Sequence, residues 1–164
     1  MTMIRIVPLF IVLVAIGTLA AALTAEHVFK LEPCILCIYQ RLPFVATGVL
    51  GLIALRMENF PVAVVALIAL SGLAYLSGSG IAFYHVGVEQ HWWLSGCSGE
   101  LSGNLTVTDL KASLMQKPEK ACDDIDWTLF GISMATYNVA YSGGLGLLSL
   151  GAAMQMSKSR KSDT

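Results

Sequence analysis

Between Leu31 and Arg41 the chain reads LEPCILCIYQR, a C-x-x-C pair followed four residues later by an arginine. Paired cysteines at this spacing do thiol-disulfide exchange, in which a thiolate attacks a sulfur of another disulfide. Pro33 has no backbone N–H to lose and suits the first position of a helix, which predicts a helix starting there with Cys34 in its first turn. Continued, that helix puts Cys34, Cys37 and Arg41 at i, i+3 and i+7, on one face. A helix N-terminus and a guanidinium both favour a thiolate. Pro43 frees the Tyr39 carbonyl inside the same segment and predicts a bend just beyond the cysteines.

The other two cysteines sit in different surroundings. Cys97 lies in Ser95-Gly96-Cys97-Ser98-Gly99, a stretch that a partner's thiolate can reach, and Cys122 in Ala121-Cys122-Asp123-Asp124, where the acids disfavour its thiolate. A bridge between them reads either as a staple, closing its loop for about 3 kcal/mol, or as a second redox pair that passes electrons to the first.

The elements that must position these residues are apolar. The chain has 164 residues, of which 55% are hydrophobic and only 13% charged, and its mean hydropathy is +0.69. That composition describes a membrane protein. A net charge of -1 leaves no basic field for nucleic acid, so no nucleic-acid partner is expected. Four segments approach the roughly 20 residues that span a hydrocarbon core: 6–25, 33–55, 61–84 and 127–156. The first exceeds the 7 to 15 apolar residues typical of a signal core and reads as a span. The second is unusual, because Arg41 interrupts it. An ionisable residue at that depth is costly and marks function, unless its long stem carries the charge to the interface.

Orientation follows from the short loops. Arg5, Arg56, Lys158, Arg160 and Lys161 crowd one face of an alternating four-span chain, whereas the other face holds nine of the eleven acids, all but Glu58 and Asp163. The densely basic face is expected to be cytoplasmic, with both termini, and all four cysteines face outward. Thiols there are not kept reduced, so an even number of them implies disulfides. The expected fold is therefore an all-α, four-transmembrane-helix bundle forming a single domain over 1–164, with external loops at 26–32 and 85–126. The longer loop is expected to carry a short helix capped by Thr108 and stopped at Pro118. Small residues in the third and fourth spans, among them Gly72 and Gly146, let helix backbones approach closely.

Four spans, Pro33-Cys34-Ile35-Leu36-Cys37-Ile38-Tyr39-Gln40-Arg41 entering the second, Tyr84-His85 leaving the third and two cysteines in the last loop together resemble the DsbB family. These are bacterial inner-membrane oxidases that regenerate DsbA, the periplasmic disulfide donor. The resemblance covers nearly the whole chain. It implies a bundle that holds a quinone, ubiquinone ahead of menaquinone, beside the C-x-x-C pair. By that resemblance Cys97 takes the mixed disulfide with a DsbA-like thioredoxin-fold partner, and Cys122 resolves it or exchanges with Cys34. Cys37 engages the quinone, and Arg41 holds the quinone or its charged adduct. The membrane quinone pool and the lipid bilayer are then the other partners, and the cysteine loops are periplasmic. His85, at the depth of Cys37, is placed to hydrogen-bond a quinone carbonyl. His91, Trp92 and Trp93 read as an interfacial belt, and His27 is given no role. Family paralogues dedicated to an arylsulfotransferase share this pattern.

Two other classes fit parts of the sequence. A vitamin K epoxide reductase-like enzyme also joins four helices to a C-x-x-C, but places that motif in its final span. The four cysteines with His85 and His91 could serve a soft-metal-binding or plain structural membrane protein with stapled loops, although no spaced zinc motif is present and no metal site is expected.

Overall fold

The computed structural model describes residues 2–93, 97, 120–125 and 127–162. The expected loop helix between Thr108 and Pro118 lies outside them. The chain folds as α1 (Thr2–His27), α2 (Ile35–Tyr39), α3 (Leu42–Arg56), α4 (Pro61–Glu89), a two-stranded hairpin of β1 (Thr128–Leu129) and β2 (Ile132–Ser133), and α5 (Met134–Ser162). Helix α3 packs between α1 and α4, and α4 and α5 run against each other along their length.

Among the described residues, three helices are long and apolar enough to cross a membrane: Met3–His27, the α2–α3 unit Ile35–Arg56, and Pro61–Glu89. Helix α5 matches α4 in length at 29 residues, but its glycines and serines, among them Ser142, Gly143, Gly144 and Ser149, make it less apolar. The packing is inverted relative to a water-soluble bundle. Large apolar side chains such as Leu13, Ile16, Leu52, Leu73, Leu147 and Leu148 point outward, while Thr47, Ser71, Gly72, Gly78 and Ser142 are buried. Lipid solvates the first set as well as a core would, so close backbone approach decides which residues face inward.

That approach is tightest between α4 and α5. A Cβ on Gly72 would stand 3.1 Å from the Gly146 carbonyl oxygen, and a Cβ on Gly146 3.1 Å from that of Gly72. The buried core beside this crossing is Ile11, Phe44, Ala54, Val64, Ile68, Tyr75, Leu145 and Ala153, with the Phe44 ring edge-on to Tyr75. At one end of the bundle Arg5 of α1 pairs with Glu58 in the α3–α4 connection. At the other end lie all four cysteines.

Three boundaries differ from those read in the sequence. The helix at the cysteines begins at Ile35, with Cys34 as its cap and Pro33 outside it. Cys34 is extended (φ -71°, ψ 167°) because its sulfur accepts the Cys37 N–H, as a capping side chain does. Helix α4 continues past Tyr84 to Glu89, which puts His85 and Glu89 one turn apart on its inner face. The last helix starts at Met134, not Trp127. Residues 128–133 turn back through Phe130 (φ 53°) and Gly131 (φ 78°), the pair of positive φ values that a two-residue hairpin needs.

Candidate active site

The bend expected from Pro43 separates α2 from α3 at Gln40 and Arg41. Pro43 cannot donate a backbone hydrogen bond, so the helix restarts with it in the first turn. Two adjacent side chains, which an unbroken helix would point about 100° apart, both line the cavity at this break. Gln40 is buried at 7% exposure. Arg41 reaches across to α1, where its Nη1 donates to Glu26 Oε2 at 2.6 Å. Its side chain is 23% exposed.

Cys34 is buried, Cys37 less so, and their sulfurs are 2.9 Å apart and unbridged. The Cys37 N–H donates to Cys34 Sγ at 3.3 Å. His85, from α4, brings Nε2 to 3.6 Å from the same sulfur. The second pair is bridged, Cys97 to Cys122, with Cα atoms 5.4 Å apart. Cys122 is fully buried, and it packs with Cys34, Leu36 and Val88, against which Cys37, Trp93 and Cys97 also lie. The fold thus brings the two pairs, remote in sequence, into one cluster. The Cys122 N–H donates to the Cys97 carbonyl at 2.7 Å, and the Cys122 carbonyl accepts from His85 Nε2 at 3.2 Å.

Beneath the cluster opens a cavity of about 490 Å³, lined by Cys34, Cys37, Gln40, Arg41, His85 and Asn138 on its polar side. Leu19, Ala22, Phe44, Met134 and Tyr141 form apolar wall. This is the size and mixed lining of a small-molecule site. All six residues singled out in the sequence are therefore within this end of the fold: Cys34, Cys37, Arg41 and His85 line the cavity, and Cys97 and Cys122 lie in the cluster above it.

Sequence reasoning missed Glu26, Gln40, Glu89 and Asn138. Glu26 and Asn138 carried a usable signal, a carboxylate and an amide in otherwise apolar helices, because a polar group there needs a partner. Glu89 accepts from Ser133 of the hairpin. In the aromatic group, Trp93 folds back over α4 so closely that a Cβ on Gly87 would sit 1.9 Å from its ring. Its indole N–H donates to the Tyr84 carbonyl at 3.1 Å.

Cys34, Cys37 and His85 offer three ligand atoms within 4.8 Å of one another, the donor set of a soft metal. Two thiolates on one tetrahedral zinc, each at about 2.3 Å, stand roughly 3.8 Å apart. The 2.9 Å between these sulfurs is closer than that.

Comparison with known proteins agrees with this geometry. Residues 4–152 match the family model described as "Disulfide bond formation protein DsbB". A disulfide bond formation protein B of Acinetobacter baumannii is 34% identical over 143 residues, 84% of this chain and 83% of the relative. One from Methylobacillus flagellatus is 31% identical over 138 residues, 82% of this chain and 83% of the relative, and one from Shewanella loihica is 32% identical over 132 residues, 79% and 77%. With a model match along nearly its full length and both cysteine pairs gathered at one end of a helical bundle, the chain belongs to the DsbB family of disulfide bond formation proteins.

Proposed function

We propose that this protein reoxidises a DsbA-like dithiol protein and delivers the electrons, through its two cysteine pairs, to a membrane quinone. The single observation that carries the reading is the packing of the Cys97–Cys122 bridge onto Cys34 and Cys37 at the mouth of a largely apolar cavity. Disulfide formation in a partner needs two electrons removed, and this arrangement offers a contiguous path for them.

Cys97 is partly exposed and Cys122 fully buried, so a partner thiolate reaches Cys97 first. Attack there forms a bond from the partner to Cys97 and releases Cys122 as a thiolate. The partner's second thiolate then attacks its own bridged sulfur, leaving oxidised and freeing Cys97. Cys122 attacks Cys34 of an oxidised Cys34–Cys37 pair, and Cys37 leaves. Cys97 next attacks Cys122, restoring the bridge seen here and expelling Cys34. Two electrons have moved from the partner to the C-x-x-C pair.

The cavity fits a quinone: apolar walls for a flat ring, with a guanidinium for a carbonyl oxygen. When bound, a quinone supplies the sink for two electrons and two protons. Cys37 is the more exposed of the pair and faces the cavity. Arg41, held by Glu26, keeps further N–H donors for an oxygen that gains negative charge. His85 has both ring nitrogens in contact with protein groups and so serves the sulfurs.

Helix α5 completes a fourth span in this reading, since it buries Ser142 and Ser149 and exposes Leu147, Leu148 and Met154 as the other three expose their large residues. The basic residues then place both termini in the cytoplasm and the cysteine end in the periplasm, in a bacterial inner membrane. The test is to mix purified protein with a soluble quinone and a reduced thioredoxin-fold dithiol protein and to follow quinone absorbance. Catalytic loss of that absorbance, with one partner disulfide formed per quinone reduced, is expected. No turnover by folded protein overturns the proposal.

A further inference from the structure

Four buried or half-buried groups, from α4, α5 and the break between α2 and α3, form one hydrogen-bonded line ending at the cysteines. Ser142 Oγ donates to Asn138 Oδ1 at 2.8 Å. Asn138 Nδ2 donates to Gln40 Oε1 at 2.6 Å. Gln40 Nε2 meets His85 Nδ1 at 2.8 Å, and His85 Nε2 lies 3.2 Å from the Cys122 carbonyl and 3.6 Å from Cys34 Sγ. Each end constrains the direction. An amide nitrogen can only donate, so Gln40 Nε2 makes Nδ1 the acceptor; a carbonyl can only accept, so Nε2 must carry the proton. The direction set at the Cys122 carbonyl runs outward: Gln40 turns Nε2 to the ring and Oε1 to Asn138 Nδ2, which leaves Asn138 Oδ1 to accept from the Ser142 hydroxyl.

We infer that Gln40, Asn138 and Ser142 are positioning residues that hold His85 neutral with its proton on Nε2, so that it acts on Cys34 as a hydrogen-bond donor and not as a base. A ring in this tautomer has no lone pair facing the sulfur and cannot take a proton from it there. It stabilises negative charge on Cys34 as that sulfur is expelled from its bond to Cys122. The kinetic half of the inference rests on the exchange sequence proposed above; the tautomer does not.

The test uses full-length protein in nanodiscs with ¹⁵N-labelled histidine and with His27→Gln and His91→Gln, so that only the His85 ring is seen. Nitrogen shifts and couplings to the ring protons should show Nε2 protonated and Nδ1 bare. Asn138→Asp removes the N–H that Gln40 Oε1 accepts, which lets the Gln40 amide turn its oxygen toward His85. The proton should then move to Nδ1, through Gln40, which bridges residue 138 and the ring. Gln40→Glu should do the same directly, whereas Ser142→Thr, which keeps the hydroxyl, should retain the wild-type spectrum. Single-turnover exchange between the two cysteine pairs should slow about tenfold in Asn138→Asp and stay near normal in Ser142→Thr. A formed Cys97–Cys122 bridge reports correct folding in each variant. A wild-type ring protonated on Nδ1, or an Asn138→Asp ring unchanged, overturns the inference. A switched tautomer with unchanged exchange overturns its kinetic half, and absence of quinone turnover in the wild type would count against the proposed function alone.

Discussion

Arg41 is the residue whose sequence reading was most open. It pairs with Glu26 and lines the cavity, and its proposed role is to bind the quinone there. A charged hydrogen bond contributes about 1.5 to 3 kcal/mol, so Arg41→Met should raise the apparent quinone KM by roughly ten- to a hundredfold. Arg41→Lys keeps the charge without the planar fork and should fall between. Exchange between the partner and Cys97–Cys122 should remain near normal in both. An unchanged quinone dependence in correctly inserted Arg41→Met protein would return the residue to the role of anchor. The cysteine order is also decided at this scale. With Cys122→Ser, a single-cysteine partner carrying an activated disulfide should become trapped on Cys97, because the resolving thiol is gone. Peptide mapping that places the trapped bond on Cys34 or Cys37 would reverse the assigned order.

At the scale of elements, α5 positions the site as much as α2 does, since Asn138 is delivered by it. Its placement depends on the crossing at Gly72 and Gly146. Gly146→Leu must push α4 and α5 apart, at a cost of about 1 to 3 kcal/mol, and should lower both the unfolding midpoint and quinone turnover. Gly144→Ala on the same helix meets nothing within 4 Å and should leave both close to wild type or slightly raised. Equal loss in the two variants would show that the sensitivity is not specific to the close approach at Gly146. Local signals made several elements legible: apolar length gave three of the spans, Pro43 the break, and the small residues the close crossing. The Gln40–Asn138 contact was not legible, because the two are 98 residues apart and nothing in either segment's periodicity names its partner. The hairpin escaped for a different reason. Trp127, Leu129 and Ile132 are apolar enough to extend a helical run, and Phe130 is an uncommon residue at a position of positive φ.

For the whole molecule, the ends of the bundle are chemically distinct. One end holds the Arg5–Glu58 pair and the connection at 57–60, and the other the cysteines, the cavity mouth and the aromatic group. In intact spheroplasts treated with reductant, a membrane-impermeant thiol reagent should label Cys97 and Cys122, and tags on both termini should stay protected from added protease. Labelled loop cysteines with one accessible terminus would mean an odd number of spans, and would remove α5 from the membrane. Protected cysteines with exposed termini would invert the whole arrangement.

Trp93, locked over Gly87, also sets a leash. Cys97 follows it by four residues, so an opened Cys97 can travel no more than about 14 Å from the ring that anchors its segment. Cys122 meanwhile is moored through its carbonyl to His85. A sulfur free to swing only that far stays at an effective concentration on the order of millimolar for its former partner. In the proposed exchange this keeps the freed Cys97 beside the Cys122–Cys34 mixed disulfide, so its attack on Cys122, which expels Cys34 and restores the bridge, is a unimolecular event that a dilute partner cannot outcompete.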